Sequence, residues 1–361
     1  MEFYGVDDVK EILKKLVEAC APSGYEENVR KIMKEELKDY VDEVKEDRLG
    51  NLICVKKGGR GGAKVMVAAH MDEIGMLVKY IEKEGFIRFS YLGGFLDQTV
   101  LNQRVLVHTE KEVIPGVIGS TPPHLLPEEK RKKVVERDDM FIDIGATSKE
   151  EAESWGVKIG CPITWVGDFL ELKNGFVCGK AFDDRIGCLV LIEVMKNVDP
   201  EVTVYGVASV MEEVGLRGAR TSAFTVEPDM GIAVDVAAAG DYPGVDERKS
   251  PVKLGKGPAI TIADGRRESL GGGLISHPLP RKLLIETAER NGIPYQLDVF
   301  EGGTTDATEI ALARGGVPAA VLSIPTRYIH TPVEVLNLKD VENAIKLLKL
   351  SLERAHEVLA V

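Results

Sequence analysis

The sequence has few cysteines, an excess of acidic over basic residues and no long apolar run, and each of these removes a class of protein. Its five cysteines, Cys20, Cys54, Cys161, Cys178 and Cys188, are scattered, odd in number and never spaced as C-x-x-C. That argues against a disulfide framework and against a thiolate zinc site, and leaves reduced core residues as the expectation. A formal net charge of −12 offers no basic surface to neutralise phosphates, so nucleic acid is not an expected partner. No apolar run approaches the roughly 20 residues a membrane helix needs, and the opening Met-Glu-Phe-Tyr-Gly is not a charged-then-apolar signal. The expectation is a cytoplasmic protein with no membrane partner. Internal repeats and low-complexity segments are also missing.

What is present suits a large core: 361 residues, 44% of them hydrophobic, suggest about two domains. Val9, Ile12, Leu13, Leu16 and Val17 fall at helical spacing. Val29, Ile32, Met33 and Leu37 repeat the pattern after the breaker Pro22-Ser23-Gly24, predicting two amphipathic helices. Short β-branched runs at 52–55 and 64–69 follow, and in the later half strands alternate with helices over 202–210, 230–234, 283–290, 295–299, 307–314 and 319–324. This is an α/β pattern with a mostly buried sheet. Residues from about 74 to 165 read differently. Strand-like pieces at 75–81, 86–91, 104–108, 113–118 and 140–144, and one charged helical piece at 149–155, are separated by Gly and Pro. They predict a β-rich domain inserted into the α/β domain. The charged run 128–133 reads as a solvated loop.

Five segments share one arrangement, an apolar stretch meeting residues able to bind metal. Val65-Met66-Val67-Ala68-Ala69 ends in His70-Met71-Asp72-Glu73. Ala181-Phe182-Asp183-Asp184-Arg185 opens a helix, and the strand at 202–210 ends in Met211-Glu212-Glu213. Ile232-Ala233-Val234 ends in Asp235, and the strand at 319–324 leads to Arg327-Tyr328-Ile329-His330. A single His or Asp after a strand is more often a cap or turn residue than a ligand. Five coincident ends weigh against that, because ligand crevices in open α/β sheets lie beyond the carboxyl ends of the strands. His, Asp and Glu without Cys suit zinc, cobalt or manganese. Two such ions bring four positive charges, which Asp183, Glu213, Asp235 and one hydroxide would balance. Glu212 and Glu213 are adjacent, so in an extended backbone their side chains diverge and can hardly serve the same atom.

With these segments quoted, a resemblance can be named. Ala-Pro-Ser-Gly-Tyr-Glu (21–26), Ala-Ala-His-Met-Asp-Glu-Ile-Gly (68–75), Ala-Phe-Asp-Asp-Arg (181–185), Glu-Glu-Val-Gly-Leu-Arg-Gly-Ala (212–219) and Arg-Tyr-Ile-His-Thr (327–331) resemble the tetrahedral (TET) metallo-aminopeptidases. That family includes glutamyl and deblocking aminopeptidases, and some members carry an endoglucanase-like label. The likeness spans nearly the whole chain in order. It implies a mixed-sheet, two-metal exopeptidase domain over 1–73 and 166–361, with an inserted β-rich dimerisation domain over 74–165. It also implies two divalent ions per subunit, zinc or cobalt. Asp183 would bridge them, His70 and Asp235 would complete one site, and Glu213 and His330 the other. Asp72 would hold the His70 ring from behind, its competing reading being a solvated loop acid. Glu212 would take a proton from a metal-bridging hydroxide's parent water and pass it to the leaving amine of a peptide. Homodimers gathering into a hollow homododecamer are the implied assembly.

Other residues carry weaker signals. Gly302-Gly303-Thr304-Thr305-Asp306 resembles a family loop near the substrate, while Thr305 or Asp306 equally suits a helix N-cap. His277 before Pro278 is a candidate substrate contact or a helix cap, and Arg327 belongs to the motif that ends in His330. His108, His124 and His356 have no metal-type neighbours. Ser23 and Ser323 lack a His and acid partner, which argues against a serine hydrolase. A glycoside hydrolase using Glu212 and Glu213 would need carboxyls flanking a sugar and leaves His70, Asp183 and His330 unexplained. A deacylase or carboxypeptidase on the same two-metal scaffold, and a non-catalytic scaffold stiffened by metal, are the remaining alternatives.

Overall fold

The computed structural model describes residues 6–59 and 62–359; the five N-terminal residues read above for a signal lie outside them. Two helices, α1 (Val6–Glu18) and α2 (Glu27–Leu37), precede β1 (Glu43–Glu46), β2 (Leu52–Lys56) and β3 (Lys64–His70). The chain then enters β4 (Gly75–Ile81), β5 (Ile87–Leu92), α3 (Asp97–Val100), β6 (Arg104–His108), β7 (Val113–Gly119), β8 (Phe141–Asp143), α4 (Lys149–Ser154) and β9 (Pro162–Trp165). It continues through β10 (Leu170–Glu171), β11 (Phe176–Gly179), α5 (Phe182–Asn197), β12 (Thr203–Ser209), α6 (Arg217–Val226), β13 (Met230–Ala238) and β14 (Ala259–Gly265). Last come α7 (Pro278–Asn291), β15 (Gln296–Glu301), α8 (Ala307–Ala311), β16 (Ala319–Arg327), β17 (Glu334–Asn337) and α9 (Leu338–Glu353).

The large sheet is mixed, with the order β1-β2-β12-β3-β13-β16-β17-β11-β10 and β14 and β15 attached beside β16. Its centre, β12-β3-β13-β16, is parallel. Strands buried on both faces need no polar alternation, and β3 shows why. Val65, Val67 and Ala69 point into one core with α1, α2, α5, α7 and α9, while Met66 and Ala68 point into a second with α6 and α8. α5 is buried on every side from Phe182 to Met195, which is why it lacks an amphipathic pattern.

The pieces from β4 to β9 close into a six-stranded barrel ordered β4-β5-β8-β7-β6-β9, around a core of its own that includes Met76, Val105, Val107, Ile142 and Trp165. Gly116 sits at an inward position of β7 where a Cβ would approach Ile142 Cγ2 to 2.8 Å. The expected strands of this insert all form; β9 escaped the reading because a four-residue piece is too short to show alternation. The reading also missed β1, α3, β10, β11, α6, β14, β17 and α9. All five cysteines are free. Among the described residues, no helix is long and apolar enough to cross a membrane.

Candidate metal centre

Parallel pairing of β3 with β12 sets His70 opposite Ser209, so the turns after both strands open at the same edge. Glu212 and Glu213 follow Ser209 in a tight turn in which Met211 adopts φ +54. Asp235 corrects the strand-end expectation in detail, because β13 runs on to Ala238 and Asp235 lies inside it, opposite Ser323 of β16. Asp183 stands in the first turn of α5, and His330 lies just past β16 with φ +62.

These elements gather five of the sequence-selected side chains into two overlapping triads. One is His70, Asp183 and Asp235, the other Asp183, Glu213 and His330, with the ligand atoms of each within 4.8 Å of one another. Asp183 is shared, its Oδ1 lying 3.1 Å from His70 Nε2 and its Oδ2 3.3 Å from His330 Nε2. Glu213 Oε1 is 3.2 Å from His330 Nε2, whereas Glu212 Oε2 turns the other way, 3.9 Å from His70 Nε2. The two glutamates therefore diverge.

The hydrogen bonds of the rings show what the cluster wants. His70 Nδ1 faces the Asp72 carbonyl at 3.0 Å and His330 Nδ1 faces the Gly94 carbonyl at 2.5 Å. A carbonyl only accepts, so Nδ1 carries the hydrogen in both rings and a neutral ring presents a bare Nε2 lone pair. Each Nε2 is aimed at carboxylate oxygens. Lone pairs opposed at about 3 Å repel unless a cation lies between them, and buried Glu213 Oε1 makes no hydrogen bond despite its short distance to His330. Without a metal, protons would have to serve. Burial opposes charge on His330, but Asp183 and Glu213 outweigh it and hold the imidazolium up to about 12. Burial likewise pushes Glu212 and Asp235 far above the ordinary carboxylate range. Nitrogen and oxygen donors converging without sulfur fit a divalent ion of borderline softness.

Asp72 is fully buried, which removes the reading of a solvated loop acid. Its carbonyl, rather than its carboxylate, makes the close contact to His70; Asp72 Oδ1 stands 3.6 Å from that ring. The carboxylate instead accepts from the Glu212 and Glu213 amides at 2.9 and 3.2 Å and from Ser23 Oγ at 2.6 Å. It thus fixes the turn that makes the glutamates diverge. Glu26 supports the same turn by accepting from Met211 N at 3.1 Å, which accounts for the 21–26 motif.

Two further acids, Asp184 and Glu334, were not singled out. Asp184 accepts from His70 N at 3.1 Å and from Gly187 N at 2.9 Å. Glu334 accepts from Asp183 N and His330 N, both at 3.0 Å, and so braces two cluster residues at once. Asp306, already read as a substrate or cap candidate, accepts from Ser209 Oγ. Of the two missed acids only Asp184 carried a signal, its place beside Asp183; the bonds of Glu334 depend on strand packing.

The four candidate substrate contacts all have structural partners, and among the described residues none hydrogen-bonds the cluster. Arg327 forms a two-pronged pair with Asp241, Nε to Oδ1 and Nη2 to Oδ2, each 2.7 Å. His277 caps α7 by accepting from Leu279 N at 3.2 Å. Thr305 Oγ1 accepts from Ala307 N at 3.4 Å at the start of α8, but Asp306, 2% exposed, makes no capping bond. Asp306 is held by Ser209 instead, and its burial lifts the carboxyl to about 6.

Comparison with known proteins gives the chain a family. Residues 50–347 match the family described as M42 glutamyl aminopeptidase. The chain is 41% identical over 347 residues to a lysyl aminopeptidase of Pyrococcus furiosus, covering 95% of this chain and 96% of the relative. A solved aminopeptidase from the archaeon Desulfurococcus kamchatkensis superposes with TM-score 0.93 at 44% identity, over 99% of both chains. The TET1 peptidase of Pyrococcus horikoshii, whose structure is described as assembling into a tetrahedron or a large octahedral shell, gives TM-score 0.85 at 37% identity over 95% of this chain and 99% of its own. A family match across most of the chain, with these whole-length relatives, establishes that the chain belongs to the M42 glutamyl aminopeptidase family and is an aminopeptidase.

Proposed function

We propose that the protein removes N-terminal residues from peptides with two divalent ions, zinc or cobalt, held by His70, Asp183 and Asp235 on one side and by Asp183, Glu213 and His330 on the other. The observation that carries this reading is the pair of imidazoles whose Nδ1 atoms face backbone carbonyls, at 3.0 and 2.5 Å, so that each Nε2 is left aimed at carboxylate oxygens just over 3 Å away, 3.1 Å for His70 and 3.2 and 3.3 Å for His330. Bound there, the ions would supply Lewis acidity for activating water and polarising the peptide carbonyl. The chain's own residues do the rest. Glu212, the glutamate turned away from His330, is the general base: it takes a proton from the attacking water and returns it to the departing amine. Asp72 is a positioning residue, because its carboxylate sets the Glu212–Glu213 turn while its carbonyl orients His70.

The barrel over 74–165 is proposed as a dimerisation domain separate from the catalytic part, 1–73 and 166–361, with dimers gathering into a dodecamer. Support comes from the assembly described for the Pyrococcus horikoshii relative and from the apolar outer face of β7, where Val113 and Val117 are about half exposed.

The decisive measurement is on Glu212→Gln. Expected is retention of both ions, counted by mass spectrometry, with kcat lower by about a hundredfold or more on an aminoacyl amide. Loss of ion and rate together would make Glu212 a ligand instead. Comparing free-amine with N-acylated peptides tests the exopeptidase direction, and preference for the acylated form would favour a deacylase.

A further inference from the structure

We infer that the inserted barrel positions one of the two metal sites, the Asp183, Glu213 and His330 triad, through the loop 93–96. The inference rests on the two-site reading above but concerns a part of the chain that supplies none of the proposed ligands. Gly94 contributes the carbonyl that takes the hydrogen of His330 Nδ1, at 2.5 Å, and thereby decides which nitrogen faces Glu213 and Asp183. Gly93, at φ +83, lies against the second ligand. A Cβ there would come within 2.6 Å of Ile74 Cγ2 and 3.1 Å of Glu213 Oε2.

The loop is anchored in the barrel. The Phe95 ring packs 4.2 Å from Tyr91 and 5.6 Å from Trp165, centroid to centroid, and Trp165 is a buried core residue of β9. Tyr91 donates to Asp97 Oδ1 at 2.7 Å, Asp97 Oδ2 accepts from Arg137 N at 2.9 Å, and the Arg137 guanidinium lies 5.2 Å from the Tyr91 ring centre. Both ends of the loop are therefore tied to barrel residues. Among the described residues, the two members that belong to the other triad alone, His70 and Asp235, have no such hydrogen bond to the barrel. His70 is oriented by the Asp72 carbonyl two residues along its own chain, and Asp235 sits inside β13 with its Oδ1 accepting from Val236 N. One site is thus built by the large sheet alone, and the other is completed by the barrel. Phe95 is a positioning residue acting through Gly94.

The test uses Phe95→Ala and Gly93→Ala in the full-length protein, with Leu96→Ala, an exposed neighbour in the same loop, as the control. Cobalt affinity at each site, followed by equilibrium dialysis and visible absorption, should fall by about tenfold or more at one site only, the range for removing a group that orients a ligand. Leu96→Ala should bind as the wild type does. Two unchanged affinities in Phe95→Ala, or parallel loss of both, would overturn the inference. A wild type that binds fewer than two ions would sink the two-site reading instead. A crystal structure of metal-free Phe95→Ala decides the loop's role independently of any ion: a His330 ring turned away from Glu213 supports it, and an unmoved ring overturns it.

Discussion

At the scale of single residues, Asp183 is the junction on which both triads depend. Asp183→Ala is expected to release both ions and abolish turnover together, and a variant that keeps one ion at full affinity would show that the carboxylate does not bridge. Arg327 is a test of a different kind, since its motif suggested substrate and its geometry shows a pair with Asp241. Burial disfavours the Asp241 carboxylate, but Arg327 overrides it and holds the carboxyl below the usual range. A folded pKa below the unfolded one of about 3.9 contributes stability that is present above that pH and is lost as pH falls through the folded value. Arg327→Gln should therefore weaken the fold by about 1–3 kcal/mol near neutrality and raise the pH midpoint of acid unfolding. Unchanged acid unfolding with a raised KM would return Arg327 to the substrate.

At the scale of elements, the fully buried Arg185 explains how α1, α5 and the turn after β3 stay in register. Its guanidinium donates to the carbonyls of Leu16, Ala19 and Met71 and pairs with Glu73 Oε1 at 3.1 Å, while Lys180 takes Glu73 Oε2 at 2.5 Å. Removing one member of a buried ionic network strands the others. Arg185→Met should cost about 3–5 kcal/mol in chemical denaturation at matched protein concentration; a loss under about 1 kcal/mol would mean that the carbonyls find other donors. The two opening helices and the apolar runs of β3 and β13 were legible because helical spacing and double-sided burial leave a mark on sequence. β14, β17 and α9 were not read. β17 is only four residues long, and α9 begins directly after it, without the Gly or Pro punctuation that set other elements apart.

At the scale of the whole molecule, assembly is the open physical question that charge and shape pose together. Each chain carries a formal net charge of −12, so the proposed contacts between copies must overcome repulsion as well as ordering cost. Light scattering at micromolar concentration should find a particle of many subunit masses, and replacing Val113 and Val117 on β7 with aspartate should shrink it. A wild-type particle of one subunit mass would contradict the assembly, and an unshrunken variant would move the contact away from β7.

The sequence by itself determined the fold class, and it pointed to the five residues of the two triads through apolar stretches that meet acids and histidines together with the family resemblance, because both signals are local. It also determined the family, since short motifs in fixed order survive when intervening residues change. Only the tertiary structure decided which nitrogen of each histidine faces the carboxylates, that Asp72 acts through its carbonyl as well as its carboxylate, and that Glu334, Asp306 and Gly94 support the site. Those choices rest on contacts between segments up to 236 residues apart, Gly94 to His330 being the widest here. No local periodicity records them, because the packing of one strand end against another sets each distance.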